Sequence, residues 1–305
     1  MESVGPRPRA SDEFPVMRKK EVVDFRSWLW DGRSIISHTG GVSLKDRGFR
    51  YGQHLFESIA IRNAQALLVT EHLKLLTDAA RRNGFPFPRT LASALRRFLE
   101  SVSLSDGMLR IYLTAGEGAP AAPICKAGCY ITWEPVHFPT TAQLLEGYRL
   151  TVLTKPFLGD VWGEKSGNYA GHLKALAGAR AGKVAADEGI VLDAKGYTLS
   201  CAMGNLLVWM PLRIGDKREI VLCTPAVSRG ARSGAVMSWV KKNVPVMERD
   251  LRPADLRKVL AMAVTNSRLG VMSVASLDGI PLREPSLSQA LAHSYLEYHG
   301  LLRRS

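Results

Sequence analysis

The sequence predicts a mixed α/β (α+β) protein made of two subdomains. Strand-like alternation of apolar and polar residues recurs along the chain, and so does the three-to-four-residue apolar spacing of amphipathic helices. The two patterns interleave without a strict strand–helix–strand repeat, which favours mixed sheets over one regular parallel sheet. A length of 305 residues is enough for one large domain or two modest ones.

The first predicted subdomain covers residues 24–133. DFRSWLWDGRSI predicts two strands around a turn at Asp31 and Gly32, and GQHLFESIAIRNAQALLV predicts further strands. TEHLKLLTDAARRNG predicts a helix with Thr70 as N-cap and Gly84 as the stop. A second helix, TLASALRRFLESV, and the strands MLRIYLTAG and GCYITWEP complete this part.

Residues 134–147 contain prolines and few periodic apolar residues, so we expect a linker there, followed by a larger subdomain over 148–305. This part begins with the strand YRLTVLTK and the helix HLKALAGARAGKVA. DEGIVLDAKGYTLSCAMGNLLVWM then predicts two long strands joined by a hairpin at 194–196. Alternating strands and helices lead to a closing helix, SLSQALAHSYLEYHG. The polar, proline-rich residues 1–23 predict a flexible extension.

Composition narrows the function classes. Hydrophobic residues make up 46% of the chain and charged residues 23%, as in ordinary globular proteins, and no apolar run has membrane-spanning length. The N-terminus has no apolar signal core, which favours a cytoplasmic protein. The net charge of +13 suits an anionic ligand, but the basic residues are scattered, so we expect no nucleic-acid partner. The four cysteines form no CxxC pair, and we expect neither disulfides nor a metal site.

One lysine lies in an unusual setting. GEKSGNYAGH, residues 163–172, surrounds Lys165 with small and polar residues. Two explanations fit this stretch. Lys165 is an exposed loop residue, or the chain holds its amine close to a bulky group.

Six segments together carry a resemblance to a known family. They are DRGFRYGQHLFESI (46–59), TEHLKLL (70–76), KSGNY (165–169), DEGIVLDAKGYTLSCAMGNLLVW (187–209), TPAVSRGARSGAVM (224–237) and TNSRLGVMSV (265–274). In this order and spacing the chain resembles the fold type IV enzymes that depend on pyridoxal phosphate. These include branched-chain and D-amino-acid aminotransferases and 4-amino-4-deoxychorismate lyase, and SCAMGNLLVW and TNSRLGVMSV are most similar to the lyase. The resemblance implies a small N-terminal α/β domain, a larger C-terminal pseudo-barrel domain and a homodimer.

The resemblance also implies roles for individual residues. Lys165 is at the position of the Schiff-base lysine, whose amine bonds to the cofactor aldehyde and shuttles the substrate's Cα proton. The glycines beside it, Gly163 and Gly167, are expected to let the cofactor approach the backbone. Tyr51 is a candidate substrate-pocket residue or a core tyrosine. Arg110 is a candidate for the active-site entrance, with solvent exposure as the alternative.

For the cofactor phosphate, the resemblance implies a strand-to-helix turn whose backbone amides bind the anion. Gly234, Ala235 and Val236 are at that turn, and Ser267 matches a hydroxyl that reaches the phosphate. Asn205 matches an asparagine near the ring, which could equally hold the local backbone.

Three positions depart from the family pattern. Leu75 replaces an arginine that grips the phosphate, and we expect Arg232, together with Arg229, to compensate. Ser200 replaces the glutamate opposite the pyridine nitrogen, which favours elimination over full transamination because a hydroxyl does not keep that nitrogen protonated. Met237 replaces an arginine at the end of the phosphate turn.

Two functions are consistent with these residues. The first is a pyridoxal-phosphate-dependent enzyme of the aminotransferase or aminodeoxychorismate lyase type, acting through Lys165 on a small amino acid or an aminodeoxychorismate-like substrate. The second is a non-catalytic or repurposed family member that has lost efficient cofactor use, which Leu75, Ser200 and Met237 would favour.

Overall fold

Two β-sheets with helices packed against them form the protein, as a computed structural model shows for residues 24–157, 164–182 and 184–302. The extension predicted over 1–23, the position of Gly163 and the last three residues of the predicted large subdomain lie outside the described residues. The mixed α+β fold class predicted from the sequence is confirmed.

The first sheet has six strands in the order β2-β1-β6-β5-β3-β4, and all neighbours are antiparallel. The elements of this part are β1 (Arg26–Trp30), β2 (Ile35–Ser37), α1 (Arg47–Tyr51), β3 (His54–Arg62), β4 (Gln65–Ala66), α2 (Val69–Arg82), α3 (Arg89–Ser101), β5 (Gly107–Thr114) and β6 (Gly128–Pro135). The predicted turn after β1 is confirmed, because the Asp31 carboxylate accepts the amides of Arg33 and Ser34 at 2.7 and 2.8 Å.

Helices α2 and α3 cover one face of this sheet and bury its main core. Helix α2 begins earlier than predicted. Leu68, in a left-handed conformation with φ of 54°, precedes the first helical residue, and its carbonyl accepts the His72 amide at 3.0 Å. Thr70 therefore lies inside the first turn, and its prediction as N-cap was wrong. Gly84 follows the helix end with φ of +69°, as expected for a stop.

The second sheet has the order β12-β11-β10-β13-β14-β7-β8-β9, and β15 pairs with β14. Strand β7 runs parallel to β14 and β8, and β12 runs parallel to β11. The elements are β7 (Tyr148–Pro156), α5 (Ala170–Arg180), β8 (Glu188–Leu192), β9 (Thr198–Cys201), β10 (Asn205–Ile214), β11 (Lys217–Pro225), α6 (Ala235–Asn243), β12 (Met247–Arg249), α7 (Pro253–Leu256), β13 (Ala261–Asn266), β14 (Gly270–Leu277), β15 (Ile280–Pro281) and α8 (Ser286–Tyr298).

The predicted hairpin between β8 and β9 is confirmed, but the following stretch differs from the prediction. A tight turn separates β9 from β10. It is closed by the Cys201 amide, which donates to the Gly204 carbonyl at 2.9 Å. Three strands therefore replace the two long strands expected. The turn brings Ser200 and Asn205 to the same cavity.

The segment between the two sheets contains α4 (Thr141–Glu146), a helix that was not predicted from the sequence. Thr140 and Gln143 form a capping box, which starts this helix despite its short length. The first sheet ends with Pro135 and the second starts with Tyr148, so we propose that the domain division lies within this connection.

A short segment before α5 joins the edge of the first sheet. The Phe56 amide donates to the Lys165 carbonyl, and the Gly167 amide donates to the His54 carbonyl, both at 2.9 Å. These bonds continue the ladder beside β3, on the edge that β4 leaves open. Lys165 is thereby fixed at the junction of the two sheets.

Candidate active site

Lys165 projects into a largely buried environment on one face of β3. Its Nζ donates to Ser58 Oγ at 3.0 Å and lies 4.7 Å from the centroid of the Phe56 ring. Phe56 and Ser58 are two residues apart on a strand, so both side chains face Lys165. Burial lowers the pKa of Lys165 to about 8, with Glu57 opposing this shift and the charges of Arg232 and Arg110 adding to it. The neutral amine is therefore accessible close to neutral pH.

Two cavities meet at Lys165, of about 120 and 390 Å³. Glu164, Lys165 and Arg232 line both of them. The smaller cavity is also lined by residues of β9, β10, β13 and the start of α6, whereas the larger is lined by the apolar face of α2, including Leu75. Their combined size suits a small-molecule site, since such sites occupy roughly 300–1,000 Å³.

A buried ion-pair network borders the cavities. Glu57 accepts from the Arg232 guanidinium on one oxygen and from His72 Nδ1, at 2.8 Å, on the other. Burial alone would raise the pKa of Glu57, but Arg232, His72 and Lys165 outweigh it and hold the pKa at about 2. Glu57 is therefore ionised at neutral pH and fixes the positions of both partners.

One end of the smaller cavity, which we call the anion end, is formed by Arg232, Gly234 and Ser267. Asn205 binds the backbone on both sides of the turn into α6: its amide donates to the Arg232 carbonyl, and its Oδ1 accepts the Gly234 amide at 3.1 Å. A Cβ atom on Gly234 would lie 2.9 Å from that Oδ1. The first amides of α6 have no acceptor within the helix, and the helix dipole adds positive potential there.

Another part of the lining of the smaller cavity, which we call the serine end, includes Ser200, Met203 and Tyr169. Ser200 Oγ donates to the Cys201 carbonyl at 2.8 Å. The turn beside it rests on Glu188, which accepts the Met203 amide at 3.2 Å; burial raises the pKa of Glu188 to about 7. The side chains of Ser200, Met203 and Tyr169, which define this end, are uncharged.

Most of the residues predicted from the sequence come together. The smaller cavity is lined by Lys165, Ser200, Asn205, Arg232, Gly234, Ala235, Val236 and Ser267. Arg110 lies on β5 opposite Ser58 and pairs with Glu134, outside the lining of both cavities. Tyr51 is 43% exposed, with its ring under the Arg50 guanidinium at 4.9 Å, and it lines neither cavity in this single chain.

Gly167 packs tightly against the first part of the chain, because a Cβ there would clash with His54 Cε1 on β3 and would lie 2.5 Å from the Gly52 carbonyl oxygen. Two expectations need correction. Met237 is 1% exposed and packs in the core between the second sheet and α6, so its side chain lies outside the cavity. Arg229 pairs with Asp250 and stacks on Tyr197, which leaves Arg232 as the arginine beside α6 that faces the site.

Three residues of the site, Ser58, His72 and Glu164, were not predicted from the sequence. Ser58 could have been found from strand alternation, since it shares a face with Phe56. Glu164 accepts from Arg82 of α2 at 2.7 Å, and His72 joins Glu57 to Ser267, whose Oγ is 3.4 Å from His72 Nε2. These pairings depend on the tertiary fold, and local patterns carry no signal for them.

Residues 24–157, 164–182 and 184–302 contain no cluster of three His, Cys, Asp or Glu side chains that could hold a metal ion. Within the same ranges, every helix is too short or too polar to span a bilayer.

Comparisons with known proteins agree with this architecture. The bifunctional aminodeoxychorismate lyase / D-amino acid transaminase of Mycobacterium tuberculosis is 24% identical over 259 residues, covering 79% of this chain and 87% of that protein. The branched-chain-amino-acid aminotransferase of Escherichia coli is 24% identical over 282 residues, covering 84% and 87%. The crystal structure of 4-amino-4-deoxychorismate lyase from Pseudomonas aeruginosa superposes with a TM-score of 0.71 at 24% identity, over 89% of this chain and 98% of that one.

The sequence model of the family described as amino-transferase class IV matches residues 54–277, a range that includes β3, Lys165, the anion end and the serine end. This match extends over well more than half of the chain. The protein therefore belongs to the class IV amino-transferase family, with the fold type IV architecture.

Proposed function

We propose that the protein is a pyridoxal-phosphate-dependent enzyme that acts on an amino acid, by aminotransferase or aminodeoxychorismate lyase chemistry, through Lys165. The observation that carries this proposal is the position of the Lys165 amine. It lies at the junction of two cavities, largely removed from water, with its pKa lowered to about 8. An amine that bonds an aldehyde must be neutral, and this setting supplies it.

The residues present fit the cofactor. The amides of Ala235 and Val236 and the Ser267 hydroxyl would hold its phosphate, with Arg232 supplying positive charge. The Arg232 guanidinium supports this role, since its Nη1 lies 3.5 Å from the position of a Cβ on Gly234, beside the start of α6. Ser200 would face the pyridine nitrogen, and Asn205 keeps the turn in shape.

When bound, pyridoxal phosphate withdraws electrons from the Cα of an attached amino acid and acidifies its Cα–H. Lys165 is the base for that proton in our proposal. Ser58 holds Nζ in place on one side, and the Phe56 ring excludes water on another. Phe56 is itself fixed by Tyr112, whose ring stacks on it with centroids 5.8 Å apart.

Ser200 favours elimination over full transamination. Its hydroxyl donates to the Cys201 carbonyl, and to hydrogen-bond an unprotonated pyridine nitrogen it would turn and donate its single hydrogen to that nitrogen instead. A group of this kind does not stabilise a protonated pyridine nitrogen as a carboxylate does. The lyase branch of the family is therefore our preferred assignment, with an aminodeoxychorismate-like or other small amino-acid substrate.

The substrate side of the site is formed by the first sheet. Arg110 is paired with Glu134, and its positive charge helps to lower the pKa of Lys165. This effect supports a role for Arg110 at the entrance, where it would attract substrate carboxylates. Tyr51 is exposed, and the residue after it, Gly52, packs against Gly167 in the segment that carries Lys165. We propose that the protein acts as a homodimer in the cytoplasm, in which a second copy covers Tyr51.

A non-catalytic family member is the second candidate, and Leu75 is the observation that favours it. Leu75 lines the larger cavity, and its apolar side chain supplies no positive charge there. The two candidates differ in whether the cofactor bonds to Lys165 at micromolar concentration. A repurposed protein would retain the fold and the cavity without this bond.

Covalent trapping tests the proposal. The purified protein is incubated with pyridoxal phosphate, reduced with borohydride, and digested for mass spectrometry. We expect the reduced cofactor on the peptide that contains Lys165, and its loss in Lys165→Ala. Lys155→Ala is the matched control, because Lys155 is an exposed lysine on β7 that lines neither cavity. Labelling spread over several surface lysines would contradict the proposal.

A further inference from the structure

The chain turns sharply at residues 201–204, directly after Ser200, and we call this segment the 201–204 turn. Ser200 lies on β9, a strand of four residues that pairs with β8 and stands at the end of the strand order of the second sheet. An edge strand has a hydrogen-bonded neighbour on one side only, so its last residues depend on the structure that follows them. The position of the Ser200 hydroxyl therefore depends on how firmly this turn is held.

Side chains from other elements hold the backbone of the 201–204 turn. Glu188 of β8 accepts the Met203 amide at 3.2 Å, and Asn266 of β13 donates to the Met203 carbonyl at 3.2 Å. His172 of α5 reaches the Ala202 carbonyl oxygen, which lies 2.6 Å from its Nδ1. Because a carbonyl oxygen only accepts, Nδ1 carries a hydrogen and donates, in the neutral ring and in the imidazolium alike.

The imidazole of His172 is itself packed against aromatic rings. The Tyr169 ring stacks on it with centroids 4.8 Å apart and 28° between the planes, and the Phe157 ring meets it edge-on at 4.8 Å. Tyr169 in turn packs edge-to-face against Phe56, the ring beside the Lys165 amine, at 5.4 Å. These contacts restrict the imidazole, so its Nδ1 donor is preorganised for the turn.

His172 and Lys165 belong to one short stretch of the chain, seven positions apart. The Lys165 carbonyl accepts the Phe56 amide beside β3, and His172 is the third residue of α5. This stretch therefore contacts the first sheet near its start and the 201–204 turn near its end. Lys165 and Ser200 line the same cavity, and the stretch fixes the position of one relative to the other.

We propose that His172 is a positioning residue: by holding the Ala202 carbonyl, it fixes the 201–204 turn and keeps the Ser200 hydroxyl within reach of the ring nitrogen of the cofactor. The inference rests on the proposed function, in which Ser200 faces that nitrogen. His172 lines the smaller cavity, but the role assigned here acts through Ser200 and requires no contact between the imidazole and a ligand.

Two substitutions separate the donor from the ring. His172→Phe keeps an aromatic ring beside Tyr169 and removes the donor. His172→Asn places an amide N–H as many bonds from the backbone as Nδ1 is, and removes the ring. If the hydrogen bond to Ala202 fixes the turn, His172→Asn retains the wild-type behaviour and His172→Phe does not. The reverse order would mean that stacking alone matters, and would overturn the inference.

The first measurement needs no cofactor. Amide hydrogen exchange of the ligand-free protein reports how firmly the turn is held. In His172→Phe the Cys201 and Ala202 amides should exchange about five- to tenfold faster than in the wild type, the factor expected for one hydrogen bond, and His172→Asn should restore their protection. The amides of β5 in the first sheet are the internal control and should keep their rates. Equal exchange of the turn in the wild type and His172→Phe overturns the inference.

The second measurement follows the ring nitrogen. Pyridoxal phosphate labelled with nitrogen-15 in its ring is bound to each protein, and the NMR shift reports whether that nitrogen accepts a hydrogen bond. We expect the hydrogen-bonded position in the wild type and His172→Asn, and a shift toward the unbonded position in His172→Phe and Ser200→Ala. Because His172 acts through Ser200, adding His172→Phe to Ser200→Ala should cause no further change. A further shift in the double variant would contradict that path.

Failure of the inference and failure of the proposed function give different results. Absence of a borohydride-stable bond to Lys165 contradicts the proposed function, and exchange of the ligand-free protein still decides whether His172 holds the turn. The same NMR shift in the wild type and Ser200→Ala contradicts the position assigned to Ser200, and the inference with it. A wild-type shift in His172→Phe, with the cofactor bonded to Lys165, overturns the inference alone.

Discussion

The anion end and the serine end of the smaller cavity are built differently. At the anion end, Arg232 is held by a buried carboxylate, Glu57, and its backbone is held by Asn205. At the serine end, the Ser200 hydroxyl donates to the Cys201 carbonyl, and Glu188 accepts the amides of Gly189 and Met203. The anion end therefore carries preorganised charge, whereas the described side chains that define the serine end, Ser200, Met203 and Tyr169, are uncharged. In the proposed enzyme, affinity for the cofactor and the rate of transamination can therefore vary independently.

The largest effect is expected when Lys165, whose amine faces the smaller cavity, is replaced. Lys165→Arg keeps a positive charge but cannot supply a neutral base, so kcat for the preferred substrate should fall by about 10³-fold or more. Steady-state kinetics with an unchanged circular dichroism spectrum would show this. Lys155→Arg should retain the wild-type rate. A loss of less than tenfold in Lys165→Arg would contradict the assigned role.

The next prediction removes the charge of the carboxylate that holds Arg232 at the anion end. Glu57→Gln leaves the Arg232 cation without its buried counter-ion, which should lower the free energy of unfolding by about 3–5 kcal/mol in urea titrations. The wild-type pKa of about 2, below the ordinary value of 4.5, makes this stabilisation complete above pH 4.5 and progressively lost down to pH 2. Glu57→Gln should lack this acid-dependent loss. An identical pH dependence in both proteins would contradict the ion-pair assignment.

Arg232→Ala tests whether the positive charge of Arg232 contributes to binding of the cofactor phosphate at the anion end. If Arg232 replaces the charge that Leu75 does not supply, the affinity for pyridoxal phosphate should fall by about 2–3 kcal/mol, or roughly 30- to 150-fold. The affinity for pyridoxal should change little. Arg213→Ala, which removes an exposed arginine at the end of β10, is the control. Equal losses for the two ligands would mean that Arg232 is only structural.

The lowered pKa of Lys165 predicts a smaller effect, on the pH dependence of the rate of cofactor attachment. The rate of cofactor attachment to the wild-type protein should rise about tenfold from pH 7 to pH 9 and level off above pH 8, because the neutral amine is the reactive form. Absorbance stopped-flow measurements would follow this rate. An ordinary lysine, with its pKa of 10.5, would show a continued rise through pH 9.

The smallest expected effect concerns the serine end. Ser200→Glu should speed conversion of the cofactor to its amine form with an ordinary amino acid by about tenfold, because a carboxylate stabilises a protonated ring nitrogen. Single-turnover spectra would measure this. Ser200→Ala, which adds no charge, should leave that rate within about twofold of wild type. A slower reaction in Ser200→Glu would contradict the assigned position of Ser200.

The sequence was informative where a short segment carries both the chemistry and the backbone geometry. Lys165, Ser200 and the turn at Gly234 were located in this way, and the structure brings them to one cavity. Met237 was misplaced because sequence order does not show which face of the first turn of α6 is buried. The partnership of Arg232 with Glu57 joins residues 175 positions apart, so only the tertiary fold shows it.

Thr70 illustrates a local error of a different kind. Threonine is a common N-cap, but Leu68 takes a left-handed conformation that starts α2 two residues earlier. Pairing of β3 and β4 fixes the chain just before this point, and the Leu67 amide donates to the Ala60 carbonyl at 2.9 Å. Tertiary pairing thus outweighed the local capping preference.

The hydrogen bonds between Lys165 and β3 have a consequence for folding. Since the Phe56 amide and the Gly167 amide join β3 to the segment that leads into α5, the first sheet cannot open at that edge without releasing the segment that carries Lys165. Both protons should therefore exchange with solvent through the same opening event. Partial unfolding of either half would then disperse the reactive centre, so that the nucleophile exists only in the fully assembled chain.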